Sequence, residues 1–197
     1  RAGKDRVPIS ALLAMGTVQH HLVRTHKRTQ IGIVIESGEP REVHHFCMLV
    51  GYGADAINPY LAYEAMWKMR NDGDLNPELT DDEVVGRYHN AIAYGMRKVF
   101  GKMGISTLDS YKGAQIFEAV GLEDEVVEKS FAGTASRIKG VGFGELAEEA
   151  ERRHKLGYPD GGTPVGETLI NPGDYQWRTG GEEHMWDPQS IALLQKA

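Results

Sequence analysis

Two histidine pairs are the residues of this sequence best suited to bind a metal ion. His20-His21 and His44-His45 lie in segments with helical spacing on either side of one predicted strand, and Glu42 precedes His45 by three residues. Imidazole nitrogens and carboxylates are common zinc ligands. Neighbouring residues of a helix point about 100° apart, so at most one histidine of each pair can face a shared ion. The spacing matches no helical zinc motif. Histidines hydrogen-bonded at helix ends or domain contacts are the alternative, and we assign no metal ligand.

A glycine-rich stretch could hold a phosphate group. Residues 133–137 read Gly-Thr-Ala-Ser-Arg, and Gly140, Gly142 and Gly144 follow. A nucleotide-binding loop should follow a strand and open a helix, whereas this stretch follows a predicted helix. We therefore interpret it as a tight irregular turn, with Arg137 in a salt bridge or a domain contact.

Cys47 is the only cysteine, so the chain can form no intrachain disulfide and no cluster site built from several thiolates. Its position on an apolar helical stripe predicts a core residue. No arrangement of Ser, His and Asp reaches motif strength. We therefore assign no catalytic, cofactor-binding or metal-binding residue to the chain.

Composition narrows the class of protein. A chain of 197 residues suits one domain, or one domain with an extension. Its 41% hydrophobic and 25% charged residues are typical of a soluble globular protein. A net charge of -6 argues against nucleic acid as a partner. No apolar run approaches the roughly 20 residues that span a membrane, and the first residues do not resemble a signal peptide.

The elements that would position these residues alternate between strands and helices. Residues 31–35 form a β-branched run that predicts a buried strand, and residues 56–58 predict a second one. Pro40 suits the first turn of the helix between these strands, and Pro59 opens the helix after them. Residues 31–63 therefore predict a parallel βαβα unit.

Further helices follow from capping signals. Ser10 can cap a first helix, and Thr80 with Glu83 forms a capping box for a long helix that Gly104 ends. Residues 105–108 predict a third short strand.

Beyond that strand, we expect a helix from Ser110 to Gly121, a short helix over residues 126–131 and a last core helix over residues 145–155. Paired charges at four-residue spacing on this last helix indicate a solvated face.

The composition changes near the C-terminus. Residues 158–173 are rich in Gly, Pro and Thr, which is typical of a linker or an ordered arm. Beyond them we expect a hairpin over residues 174–186 and a terminal helix beginning at Asp187-Pro188. We place the domain boundary between residues 1–157 and residues 158–197.

Four segments closely resemble one known family. They read ESGEPREVHHFCMLVGYGADAINPYLAYE (residues 36–64), KMGISTLDSYKGAQIFEAVGL (102–122), GTASRIKGVG (133–142) and DYQWRTGGEEHMWDPQSIALLQ (174–195). The first three resemble the central domain of the large chain of glutamate synthases. The fourth resembles the passage from that domain into the FMN-binding domain of the same enzyme.

The resemblance implies a fold. We expect an α/β domain with a partial, rudimentary TIM-barrel-like βα layout, few short parallel strands and a C-terminal extended arm. Residues just past the strands, which are 36–38, Asn58 and 109–110, would lie at the end where such folds place their chemistry.

The resemblance also implies a function. The chain would be an internal structural segment of glutamate synthase, which converts glutamine, 2-oxoglutarate and reductant into two glutamate. It would connect the amidotransferase and FMN domains and help wall the ammonia path, without being catalytic by itself. FMN and an iron-sulfur cluster would belong to the parent enzyme and not to this chain.

The implied partners are the neighbouring domains and, through the parent, a reductase subunit or ferredoxin, with no nucleic acid or membrane partner. The implied location is the bacterial cytoplasm or the plastid stroma. Two alternatives remain open from the sequence: a free-standing small α/β enzyme that binds a metal or flavin, and a non-catalytic interaction module.

Overall fold

Two pairs of short parallel strands, each joined through a helix, organise the chain. The computed structural model describes residues 2–159, 173–174 and 176–196. By internal contacts the chain divides into two units, Arg1–Lys155 and Leu156–Ala197. The described helices are α1 (Ala11–Arg24), α2 (Val43–Gly51), α3 (Tyr60–Asn71), α4 (Asp81–Met103), α5 (Leu108–Tyr111), α6 (Asp124–Ser130), α7 (Phe143–Gly157) and α8 (Pro188–Lys196), and the described strands are β1 (Val34–Glu36), β2 (Ala56–Asn58), β3 (Glu118–Leu122) and β4 (Ala135–Val141).

Each strand pair is a βαβ unit. Strand β1 lies parallel to β2 with α2 between them in the chain, and β3 lies parallel to β4 with α6 between them. Parallel neighbours need such a crossover because the chain must return to the same end of the sheet. The predicted α/β class with few short parallel strands is confirmed, and the described residues form no closed barrel.

The first βαβ unit is shorter than the sequence predicts. Of residues 31–35, only the last two belong to β1, because β2 offers just three residues to pair with. Pro40 does not lie in the first turn of α2, which begins at Val43 after Glu42 in the N-cap position. Instead, Pro40 is fully buried in the approach to the helix.

Helix α4 has the predicted ends. The Thr80 hydroxyl accepts a hydrogen bond from the Glu83 backbone N–H at 3.2 Å, and the Glu83 carboxylate accepts one from the Thr80 backbone N–H at 2.8 Å. Gly104 ends the helix in the left-handed conformation with φ of 71°. The capping box is confirmed because both partners are local in sequence.

The N-terminus of α1 is capped differently from the prediction. Ser10 lies in the N-cap position but its side chain makes no capping hydrogen bond. The Ala11 N–H donates to the Glu39 carboxylate at 2.7 Å. A carboxylate distant in sequence therefore satisfies the first free N–H of α1, while the Ser10 side chain caps none.

The predictions for residues 105–121 are wrong. Residues 105–107 form a loop, and the Thr107 hydroxyl accepts from the Ser110 N–H at 3.3 Å at the beginning of the short helix α5. The segment that we expected to be a helix up to Gly121 contains strand β3. Gly121, with φ of 77°, lies inside that strand and does not end a helix.

The glycine-rich stretch begins with a turn, as predicted, where Gly133 has φ of 84° and the Thr134 N–H donates to the Phe131 carbonyl at 2.9 Å, but most of the stretch is a strand. It contains β4, which pairs with β3 in a register that shifts near Val120. A Cβ atom on Gly140 would lie 2.5 Å from the Gly121 carbonyl oxygen. The glycines therefore permit the two strands to approach closely, which sequence spacing alone does not reveal.

Two clusters of buried apolar residues lie on either side of α2. One contains Ala11, Met15, Ile33, Leu49 and Ala54. The other is built around Cys47, Val50 and Tyr111, with partly buried apolar side chains from α4. Cys47 is therefore a core residue, as predicted, and burial raises the pKa of its thiol.

The second unit contains α8. Asp187 Oδ1 accepts a hydrogen bond from the Ser190 N–H at 2.6 Å, which stabilises the first turn of this helix. The predicted terminal helix is confirmed. Among residues 173–174 and 176–186 there is a turn at Gly180 but no strand, so the predicted hairpin is not formed in this described part. Most of the predicted arm, residues 160–172, lies outside the described residues.

Candidate functional site

Residues at the carboxyl ends of β1 and β2 form hydrogen bonds with each other. Asn58 Nδ2 donates to Glu36 Oε2 at 3.3 Å, and the Ser37 N–H donates to the Asn58 carbonyl at 3.2 Å. Asp109 lies on α5 and follows no strand, so the expectation that it shares this edge is wrong. The two strand ends are thus brought together, whereas the third predicted position is not.

A cavity of about 670 Å³ adjoins these strand ends. Glu39, Arg41 and His44 line it together with apolar residues from α1 and α2. The Glu39 carboxylate also accepts a hydrogen bond from the first N–H of α1. This contact fixes the beginning of α1 against the segment that leads from β1 into α2.

The histidine pairs have separate surroundings. His45 Nδ1 accepts from the Arg41 N–H at 3.1 Å, and its Nε2 lies 3.5 Å from Glu42 Oε1. Burial lowers the pKa of His45 and of His20. Within the described residues, no group of three or more His, Cys, Asp or Glu side chains could hold a metal ion. The hydrogen bond of His45 at the beginning of α2 matches the alternative to metal binding.

Arg137 forms the salt bridge that was one of its two predicted roles. Its Nε lies 3.2 Å from Glu118 Oε1, which joins β4 to β3 across the sheet. The Arg137 side chain is 84% exposed, so this pair adds little to stability.

A cluster of charged groups surrounds Asp55, at the opposite end of the β1–β2 sheet. Asp55 accepts from Lys112 Nζ at 2.5 Å, from Arg28 Nη2 at 3.0 Å and from the Ile33 N–H at 2.7 Å. Arg28 Nη2 also donates to the Gly53 carbonyl at 2.8 Å. One carboxylate thereby joins three segments that lie far apart in the sequence.

The environment of Asp55 favours its charged form. The hydrogen bond from Lys112 is the main cause that lowers the pKa of the Asp55 carboxyl from 3.8 to about 2, with the Ile33 N–H and Arg28 acting in the same direction. Sequence analysis missed this cluster. The only local signal is an acidic residue directly before β2, and its cationic partners lie 27 and 57 residues away.

We expect Asp55→Asn to lower the free energy of unfolding at pH 7 by about 2 kcal/mol, because Lys112 and Arg28 lose their carboxylate in a half-buried position. The native pKa lies below the unfolded value, so this stabilisation is present above the unfolded pKa of 3.8 and is lost as pH falls towards about 2. Urea unfolding between pH 7 and pH 2 should therefore show the wild-type and variant stabilities converging in acid.

The matched control is Asp72→Asn. Asp72 pairs with Lys68 at 2.7 Å, but both side chains are about half exposed. Its loss should cost under about 0.5 kcal/mol at any pH. Equal effects of the two substitutions would contradict the structural role of Asp55.

No described helix is long and apolar enough to cross a membrane.

The family model and the relatives that match this chain all indicate the same family. Residues 1–123 match the family model described as glutamate synthase central domain. The chain is 47% identical over 193 residues to glutamate synthase [NADH] of Schizosaccharomyces pombe, a match that covers 98% of this chain and 9% of that protein. It is 48% identical over 190 residues to the glutamate synthase [NADPH] large chain of Bacillus subtilis, a match that covers 96% of this chain and 12% of that protein.

A third relative has a different electron donor in its name. The chain is 39% identical over 202 residues to the ferredoxin-dependent glutamate synthase of Antithamnion sp., covering 98% of this chain and 13% of that protein. The chain thus spans about a tenth of the length of the curated relatives that it matches. It belongs to the glutamate synthase central domain family.

Proposed function

We propose that this chain is an internal structural segment of a glutamate synthase large chain. One observation carries the proposal: the relatives match 96–98% of this chain, whereas the chain covers only 9–13% of each of them. A match of this kind is expected for a piece of a longer polypeptide.

The segment connects the amidotransferase domain to the FMN-binding domain and helps wall the path of ammonia between them. Residues 1–157 are the part that belongs to the central domain, and residues 158–197 lead towards the FMN-binding domain. This role requires rigid packing. Support for it comes from the Asp55 cluster and from the contact between Glu39 and α1, which both fix loops in place.

The parent enzyme converts glutamine, 2-oxoglutarate and reductant into two glutamate. Its FMN and iron-sulfur cluster lie in parts of the polypeptide outside this chain. A reductase subunit or ferredoxin delivers electrons to it, in keeping with the NADH, NADPH and ferredoxin in the names of the relatives. The parent acts in the bacterial cytoplasm or the plastid stroma.

We expect the isolated 197-residue chain to form no glutamate from glutamine and 2-oxoglutarate when an electron donor is added. The polypeptide of native length, purified from its source cells, should form it under the same conditions. Glutamate is measured by chromatography, with the native polypeptide as the positive control. Glutamate formation by the isolated chain would contradict the proposal and favour the free-standing enzyme.

A further inference from the structure

Two apolar side chains on the β3–β4 sheet have no cover within the described residues. Val120 and Ile138 are partners across the two strands, and they are 65% and 60% exposed. Ala119, the residue before Val120, is buried, and helix α6 packs against β3. The sheet is therefore covered in part, while one apolar cross-strand pair stays exposed.

Parallel sheets are normally covered on both faces by helices, because βαβ connections place helices there. A parallel sheet of two strands with an exposed Val–Ile pair therefore lacks part of its covering layer. The charges near the pair are already neutralised: Arg137 pairs with Glu118, and Lys139 pairs with Asp124. The surface thus fits an apolar partner better than a charged one.

The match to the family model ends between the two strands of this sheet. The central-domain model ends at residue 123, just after β3, whereas β4 comes after that end. The sheet thus spans the C-terminal limit of the residues that match the family model. Since the chain covers only 9–13% of its relatives, most of the polypeptide that could cover the sheet lies outside this chain.

We propose that the apolar face of a helix from the same polypeptide, outside this chain, covers Val120 and Ile138 in the protein of native length. This inference rests on the proposed function, because it needs a longer polypeptide. It goes further by naming the contact surface and the chemistry of its partner.

Cysteine labelling tests the proposal at single residues. Ile138→Cys is the test variant, and Tyr94→Cys is the matched control, because Tyr94 is 66% exposed, similar to Ile138, and lies on α4 outside this sheet. Each is placed both in the 197-residue chain and in the polypeptide of native length, which are then treated with N-ethylmaleimide. A glutamate-specific protease releases residues 129–145 and residues 84–118, two peptides without any natural cysteine, so mass spectrometry reads each site separately.

In the 197-residue chain, both cysteines should react at similar rates. In the native-length polypeptide, Ile138→Cys should react at least about tenfold more slowly, while Tyr94→Cys should change by less than about threefold. Val120→Cys should behave like Ile138→Cys, and it replaces that variant if Ile138→Cys does not fold.

Fast labelling of Ile138→Cys and Val120→Cys in a long native polypeptide would overturn the inference and leave the proposed function intact. Equally slow labelling of Tyr94→Cys would overturn a cover that is specific to the β3–β4 sheet. Protection of Ile138→Cys already in the 197-residue chain would overturn an external cover. A native polypeptide no longer than this chain would overturn both the inference and the proposed function.

Discussion

Tyr111→Ala is expected to lower the free energy of unfolding by about 3–5 kcal/mol, as for other large aromatic residues removed from a core. Tyr111 is 0% exposed and belongs to the cluster with Cys47 and Val50. Its ring centroid lies 4.2 Å from that of Phe100 and 6.5 Å from that of Phe117. Alanine would leave a cavity between α2, α4 and α5. Urea unfolding followed by circular dichroism measures the loss.

Tyr111→Phe separates the ring from the hydroxyl. The Tyr111 hydroxyl is buried beside the Cys47 thiol, a weak hydrogen-bonding group, and makes no well-formed hydrogen bond among the described residues. Phenylalanine removes that polar group and should change the stability by less than about 1 kcal/mol, towards greater stability. Tyr94→Ala, at a side chain that is 66% exposed, is the surface control and should stay within about 0.5 kcal/mol. A loss above about 2 kcal/mol for Tyr111→Phe would contradict this account.

Gly16→Ala is expected to lower the free energy of unfolding by about 2–3 kcal/mol, although alanine normally favours a helix. A Cβ atom at Gly16 would lie 2.0 Å from the Ser130 carbonyl oxygen and 3.1 Å from the Phe131 ring. Because the nearest atom belongs to the backbone, helix α1 must move away from the end of α6. The hydrogen bond between the hydroxyls of Thr17 and Ser130, which lie 2.8 Å apart, would be lost as well.

Gly101→Ala is the matched control for Gly16→Ala. Gly101 also lies within a helix, but a Cβ atom there would meet nothing within 4 Å. It should raise the stability by about 0.5–1 kcal/mol through helix propensity alone. Thermal unfolding of the two variants should therefore shift in opposite directions. A stabilising Gly16→Ala would contradict the close packing of α1 on α6.

Signals that act within one turn of the chain were predictable from the sequence. The Thr80 and Glu83 capping box, the left-handed Gly104 and the beginning of α8 at Asp187 all depend on neighbours three or four residues away. Such contacts form wherever the local chain is helical, so the residue types are sufficient to predict them.

Strand β3 was missed because its pattern is ambiguous when read locally. Ile116, Phe117 and Val120 are spaced as on a helix, and only the pairing with β4 makes the segment a strand. That pairing depends on Gly140 lying against Gly121, a contact between two segments separated by α6. Tertiary contacts of this kind override local propensity and leave little trace in one sequence.

The candidate site shows the same difference between local signals, which the sequence reveals, and distant contacts, which it does not. The sequence predicted that Glu36 and Asn58 share one edge of the sheet, because Glu36 directly follows one predicted strand and Asn58 is the last residue of the other. Their side chains form a hydrogen bond there. The sequence did not reveal Asp55 as a structural centre, since nothing in the spacing connects Asp55 to Arg28 or Lys112. The family resemblance was readable over long segments, and the match to residues 1–123 confirms it.

The length of the native polypeptide tests the central claim most directly. An antibody raised against the 197-residue chain should detect, in extracts of the source cells, a band several times larger than the 21.8 kDa of this chain. Peptides from both sides of the segment, identified by mass spectrometry of that band, should match other parts of a glutamate synthase large chain. A single band at 21.8 kDa, without such peptides, would contradict the internal-segment account.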